Sequence, residues 1–192
     1  LASRVDAQTV PAFAGTADNR FPEIFIGVQK MLIADSQIHV WGANTPERPW
    51  PGRAHAQREI PLGHDELLRE MDAAGVNRVV IVPPSWEGDR NDLALAAVKA
   101  HPTRFGIMGR FNPEEPNARE TIKNWRNQPG MLGMRFSFHI PVLQQPLLDG
   151  KYDWVWSEAE KQGIRLMILV PQHMVQAIDT IAATTSTSHG PW

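Results

Sequence analysis

MLIADSQIHVWGANTPERPWPGR, residues 31–53, begins as a strand and continues into a long loop rich in Pro, Gly and Arg. Asp35, Gln37, His39 and Trp41 occupy every second position, and successive side chains of a strand point to opposite faces. The residues between them are small or apolar, which suits a face covered by helices. Burial of Asp and His without partners is costly, so the polar face must meet ligands, hydrogen bonds or water. The stretch therefore predicts a first strand with a polar inner face.

Four further apolar strands are predicted downstream, each followed by a helical pattern. They span residues 77–84, 104–112, 131–139 and 164–171. Apolar strands that alternate with helices predict an α/β fold with a parallel sheet covered by helices. Two architectures fit this pattern, namely a doubly wound open sheet and a (β/α)₈ barrel. No G-x-G-x-x-G motif follows the first strand, which counts against a dinucleotide-binding sheet.

The barrel interpretation makes the chain incomplete. Eight β/α units need roughly 250 residues, whereas this chain has 192 and shows about five such units. The predicted organisation is an N-terminal arm over residues 1–29, a partial barrel over 30–183 and an irregular tail over 184–192. The chain does not begin with Met, so we expect a processed or truncated product.

Composition argues against several classes of partner. The chain is 42% hydrophobic and 21% charged, with a net charge of -2 and no block of like charge, which argues against nucleic acid and acidic membranes. It has no apolar run long enough for a membrane span and no basic, then apolar, signal sequence. Cysteine is absent, which excludes disulfides and Cys-based metal sites. These features predict a cytoplasmic protein.

Five segments together resemble the amidohydrolase-related branch of metal-dependent (β/α)₈ hydrolases. They are IADSQIHVWG, VNRVVIVPPS, HPTRFGIMGRFNP, GMRFSFH and IRLMILVP. The resemblance covers roughly residues 31–183 and implies an incomplete barrel of the TIM type. This branch includes lactone hydrolases that act on pyrone dicarboxylate or sugar lactones, and decarboxylases of aromatic-type acids.

The resemblance first concerns the residues of strand 1 that would bind a divalent metal ion. The strand-1 motif of the family is Asp/Glu-x-His-x-His or a variant of it, and its two His bind a divalent ion. Here Gln37 takes the first His position and His39 the second. A neutral amide oxygen is a poor Zn ligand, so we expect either no metal or a weakly bound Zn or Mn at His39. Gln37 favours the metal-independent lactonases of the branch, and we expect Gln37 and His39 to be catalytic. A satisfied polar layer with no catalytic role is the alternative for this pair.

Substrate-binding residues are predicted on strand 4. In GMRFSFH, Arg135, Ser137 and His139 share one face and the apolar residues between them take the other. An inward Arg can hold a carboxylate bidentately, which suits an anionic lactone or acid. The alternative is an ion pair between Arg135 and Asp35 in the barrel floor. We assign substrate binding to Trp41, Arg135 and His139. The alternative for His139 is a solvent-exposed side chain with no role in binding.

Other residues carry weaker predictions. His173, after the fifth strand, is expected to be a capping or exposed residue. Surface or helix-start positions are expected for His55, His64 and His101. Candidates to line the mouth of a pocket are Arg48, Trp50, Arg53, Trp86 and Arg110.

The predicted function is hydrolysis of a C–O bond in a carboxylated lactone or similar small cyclic ester. Arg135 would hold the carboxylate, and His39 with Gln37 would orient or polarise the carbonyl. The resemblance places the water-activating Asp on strand 8, so we expect the partial barrel to be inactive alone. The alternatives are a metal-dependent decarboxylase of the same family, which bound Zn or Mn would favour, and an inactive truncated relative or binding module. An open sheet edge after strand 5 predicts a homo-oligomer.

Overall fold

A computed structural model describes residues 31–51, 56–58 and 60–186. The described residues from Leu32 onwards belong to one compact unit. The predicted arm over residues 1–29, together with Arg53 and His55, lies outside the described residues.

The described part of the chain contains five strands and six α-helices. The strands are β1 (Ala34–Ile38), β2 (Arg78–Ile81), β3 (Phe105–Arg110), β4 (Met131–Ser137) and β5 (Arg165–Leu169). The helices are α1 (His64–Ala74), α2 (Asp92–Ala100), α3 (Ala118–Lys123), α4 (Pro141–Leu148), α5 (Asp153–Lys161) and α6 (Val175–Ser186). Short 3₁₀ turns span Ser85–Glu87, Trp125–Asn127 and Gln172–Met174.

Two elements differ from the sequence-based prediction. The pattern did not predict α4, which Pro141 opens at its first position, where a proline costs no backbone hydrogen bond. Helix α6 continues to Ser186, three residues past the predicted boundary. Gly75 does end α1 as predicted, because its left-handed conformation (φ 73°) lets the chain leave the helix.

The sheet has the order β1-β2-β3-β4-β5, and every neighbouring pair is parallel. Each strand therefore lies beside its predecessor in the chain. Right-handed crossovers then place all the helices on one face, and the sheet curls into a half-barrel. A doubly wound sheet would instead reverse its strand order and carry helices on both faces. The prediction of an incomplete TIM-type barrel is confirmed, and the doubly wound alternative is wrong.

The hydrophobic core lies between the outer face of the sheet and the helices. The sheet contributes three fully buried side chains, Ile81, Ile107 and Met134. The helices contribute two more, Ile122 and Val155. Phe136 of β4 and Phe138 just after it join the same core, whereas Arg135 and Ser137 are only partly buried. The predicted alternation of this strand is therefore present.

Strand β1 is shorter and less regular than predicted. Asp35 pairs with Val79 and Ile38 with Ile81, so one extra residue bulges out of β1 between them. The carboxylate of Asp35 accepts the backbone N–H of Gln37 (2.9 Å) at this bulge. Beyond the strand, Trp41 is 3% exposed and forms an antiparallel bridge with Leu62. The prediction of one unbroken inward row from Asp35 to Trp41 is wrong, because the bulge resets the alternation and the strand ends at Ile38.

Candidate functional site at the carboxyl ends of the strands

Two arginines lie side by side near the carboxyl ends of β3 and β4. Arg110 and Arg135 are direct ladder partners, and both are partly buried. Burial lowers the pKa of each, and the positive charge of Arg110 lowers the pKa of Arg135 further. Asp89, 3.6 Å from Nε of Arg110, offsets part of this effect on Arg110. Two adjacent cations share one carboxylate, which leaves net positive charge that favours a bound anion.

The backbone of Arg110 is held by the side chain of Asn91. The Asn91 amide donates to the Arg110 carbonyl (2.8 Å) and its oxygen accepts the Arg110 N–H (2.7 Å). The Arg110 guanidinium also donates to the hydroxyl of Ser137 (3.3 Å). A cavity of about 230 Å³ opens beside Arg110, Arg135 and Ser137. The sequence pattern missed Asn91, since its partner lies 19 positions away.

Gln37 contacts Arg135 across the inner face. Nη1 of Arg135 donates to Oε1 of Gln37 over 3.3 Å. A guanidinium can only donate, so the amide oxygen must face it and the amide nitrogen of Gln37 keeps both N–H groups for another acceptor. The alternative pairing of Arg135 with Asp35 is wrong, because the Asp35 carboxylate turns back to its own backbone.

The ring of His39 has one nitrogen committed to the backbone. Nδ1 lies 2.6 Å from the carbonyl oxygen of Val82. A carbonyl only accepts, so the neutral ring carries its proton on Nδ1 and a lone pair on Nε2. Trp86 packs edge-on to the ring at 5.6 Å between centroids. Nε2 is therefore the atom of His39 that is available to accept a proton.

Three tryptophans pack together beside His39. The ring centroids of Trp41 and Trp50 lie 5.9 and 6.4 Å from that of Trp86. All three indole N–H groups are buried and have no hydrogen-bond partner among the described residues. Trp41 thus reaches His39 through Trp86, and its predicted contact with substrate stays a prediction.

The loop after β1 is tied to the turn after β2 by a buried ion pair. The carboxylate of Glu87, 3% exposed, accepts two hydrogen bonds from Arg48 (2.9 and 2.5 Å) and one from the Gly42 N–H (2.7 Å). Hydrogen bonds to Glu87 and then Asp92 raise the pKa of Arg48, and Arg48 lowers the pKa of Asp92. Arg48 is thus a loop anchor, and its place at the mouth of a pocket stays a prediction.

Two further histidines of the sequence analysis are exposed. His139 follows β4 and is exposed. His173 is exposed in the turn Gln172–Met174, as predicted.

Metal ligands do not converge on His39. Among the described residues, three His, Cys, Asp or Glu donors meet in one place only, formed by His64, Asp65 and His101. The described surroundings of His39 therefore do not fit a tightly bound metal, which needs three or more such donors.

A larger apolar groove lies elsewhere on the molecule. It has a volume of about 330 Å³ and is lined by residues of α5, β5 and α6, among them Trp156, Ile168 and Ile178. It shares no lining residue with the cavity at Arg110. We place the candidate site at the arginine pair, because parallel α/β barrels carry their chemistry at the carboxyl ends of the strands.

The model of the amidohydrolase family matches residues 34–187, a range that includes all five strands. The chain belongs to the amidohydrolase family. A comparison with curated proteins found no match. No helix in the described part of this amidohydrolase is both long and apolar enough to cross a membrane.

Solved structures share the fold of this amidohydrolase at low sequence identity. An amidohydrolase from Burkholderia multivorans with bound HEPES is 18% identical to this chain, with a TM-score of 0.63. The alignment covers 81% of this chain and 54% of the Burkholderia chain. A putative 2-pyrone-4,6-dicarboxylic acid hydrolase from Pseudomonas putida is 18% identical with a TM-score of 0.62, over 80% and 54%. A probable hydrolase of the same acid from Acinetobacter baumannii, with citric acid bound, is 17% identical with a TM-score of 0.57, over 79% and 54%. This amidohydrolase thus spans about half the length of the solved structures it matches.

Proposed function

We propose that this amidohydrolase binds a small carboxylated lactone and takes part in hydrolysis of its ester C–O bond. The observation that carries the proposal is the pairing of Arg110 with Arg135 on adjacent strands, with Gln37 in contact with Arg135. Membership of the family supports a hydrolase. The two neighbours described as hydrolases of a pyrone dicarboxylic acid support an anionic lactone as the substrate class.

The arginine pair would hold the substrate. Arg135 presents its guanidinium to a carboxylate, which can accept two parallel hydrogen bonds. Burial and, second, the charge of Arg110 lower the pKa of Arg135. An anion bound between the two guanidinium groups would offset their mutual repulsion, so both charges favour its binding. Neutral lactones lack this gain, and the site should discriminate against them.

Gln37 and His39 would act on the ester group. The free N–H groups of Gln37 can donate to the lactone carbonyl oxygen and stabilise the negative charge that develops there. Nε2 of His39 can take the proton of an attacking water. The water oxygen then bonds to the carbonyl carbon, the ring C–O bond breaks, and the proton passes to the leaving oxygen. Because the described donors around His39 do not fit a metal site, no step is assigned to a metal.

Anion binding gives the direct test. Calorimetric titration of the 192-residue chain with 2-pyrone-4,6-dicarboxylate should show binding that Arg135→Met weakens at least about tenfold, the loss expected for a charge-assisted bidentate contact. Arg69→Met, an equal change of charge at an exposed position of α1, is the matched control. Equal affinities for the two variants would reject the site.

Turnover gives the second test. If an Asp from further strands, rather than His39, must take the proton of the water, the chain should bind the pyrone without opening it. Ring opening by the chain that is lost in His39→Ala would support the reaction and contradict the expectation that the chain is inactive alone. Retained pyrone binding in His39→Ala would separate the role of His39 from that of Arg135.

A further inference from the structure

Three metal-ligating side chains meet on the helical layer. His64 and Asp65 open α1, and His101 follows the last residue of α2. One donor atom from each lies within 4.8 Å of the other two. This group includes neither His39 nor any residue of a strand. It therefore shares no residue with the site at the carboxyl ends of the strands.

The spacing of this group matches metal coordination. Nε2 of His64 lies 3.4 Å from Oδ1 of Asp65, longer than the usual length of about 2.7–3.2 Å of an N–H···O hydrogen bond. Two ligands on a tetrahedral zinc ion, each at about 2.0–2.1 Å from the metal, are about 3.4 Å apart. The pair thus already has the separation of two zinc ligands. His101 closes the group from the other helix, with its ring 6.0 Å from that of His64 between centroids.

Only small movements would bring the three donors onto one ion. Asp65 is largely exposed, with 78% of its side chain in solvent, so its carboxylate can turn without disturbing the core. The ring of His101 is held edge-on against buried Phe105 at 5.9 Å, which gives the group one anchored ligand. His64 is partly buried and has less freedom than Asp65.

We propose that His64, Asp65 and His101 bind a divalent transition-metal ion, with Zn²⁺ as the representative case. Two imidazoles and one carboxylate are a donor set that zinc accepts, and water completes the coordination. The ion would join the start of α1 to the end of α2, which are 36 residues apart in the chain. Since the unfolded chain does not hold these donors together, the metal would stabilise the folded state.

Zinc titration tests the site directly. Calorimetry on the 192-residue His39→Ala variant, which removes the strand-1 imidazole, should show one zinc ion per chain. Adding His101→Ala should weaken binding at least about tenfold, as the loss of a ligand requires. His173→Ala is the matched control, because His173 is exposed and lies in a different turn. Zinc affinity that is unchanged by His101→Ala, or lost equally with His173→Ala, would overturn the proposal.

Asp65→Asn keeps the test independent of packing. This substitution keeps the shape of an exposed side chain and removes its charge, so the fold should be unchanged by circular dichroism. Zinc affinity should fall, and the rise in melting temperature on adding zinc should shrink. Cobalt bound in place of zinc should give visible d–d absorption that changes in Asp65→Asn. A cobalt spectrum and a zinc affinity that are both identical to those of the parent would contradict carboxylate ligation.

Discussion

The carboxylate of Glu87 and the guanidinium of Arg48 face each other through two hydrogen bonds, from Nε at 2.9 Å and from Nη2 at 2.5 Å. Glu87 is 3% exposed, and it also accepts the N–H of Gly42. One carboxylate therefore holds the loop after β1 against the turn after β2. Trp86 precedes Glu87 in that turn and contacts His39, so the ion pair supports the wall of the candidate site.

Glu87→Gln should lower the free energy of unfolding by about 2 kcal/mol, because the buried side chain loses its charge-assisted hydrogen bonds from Arg48 and leaves Asp92 as the anionic partner of Arg48. Urea denaturation measures the change. Glu70→Gln is the control, since Glu70 is 57% exposed and lies 3.9 Å from Arg58. Its effect should stay below about 1 kcal/mol. Equal effects of the two substitutions would mean that Glu87 is solvated.

Acidification should expose the contribution of Asp92. Arg48 lowers the pKa of Asp92 in the folded chain, whereas the unfolded pKa is about 3.9. The Asp92 carboxylate therefore stabilises the fold fully above that value, and this contribution is lost as the pH falls through the folded pKa. Melting temperatures from about pH 7 down to about pH 2.5 should fall more steeply for the parent than for Asp92→Asn. Parallel curves would contradict the pairing.

Gly133→Ala should disrupt the junction of β4 and β5. A Cβ at Gly133 would lie 2.1 Å from the backbone oxygen of Arg165 and 2.7 Å from Cε of Met108. The backbone cannot move aside cheaply, so we expect a loss of about 3 kcal/mol or more in urea denaturation. Gly63→Ala is the matched control, because a Cβ at Gly63 meets no atom within 4 Å. Its cost should stay below about 1 kcal/mol.

Gln37→His should strengthen metal binding on the first strand. The substitution places a second imidazole two residues before His39, whose Nε2 carries a free lone pair, and imidazole is a far better zinc ligand than an amide. Zinc titration in a His64→Ala, His101→Ala background, which removes the helical site, should show at least about a tenfold gain. No gain would mean that the side chain at position 37 does not turn toward His39.

Much of the fold follows from local patterns. The apolar runs of β2 and β3 and the alternation of β4 around Arg135 predicted five parallel strands, and the family resemblance then implied the barrel. Period-2 and helical patterns are set by residues within a turn or a strand of one another. The prediction of an unbroken inward row on β1 was wrong because of a bulge between Asp35 and Ile38. The bulge depends on the pairing of β1 with β2, which the local alternation of residues does not reveal.

The amino-acid sequence by itself determined the α/β class, the five β/α units, the resemblance to amidohydrolases and the inward placement of Arg135. Only the tertiary structure decided that Arg110 stands beside Arg135, that Gln37 contacts Arg135 across 98 positions, and that Arg48 pairs with Glu87 across 39. It also decided that His64 and Asp65 meet His101. Local periodicity depends on neighbours in the chain, whereas these contacts depend on the register of paired strands and on how loops and helices pack around them.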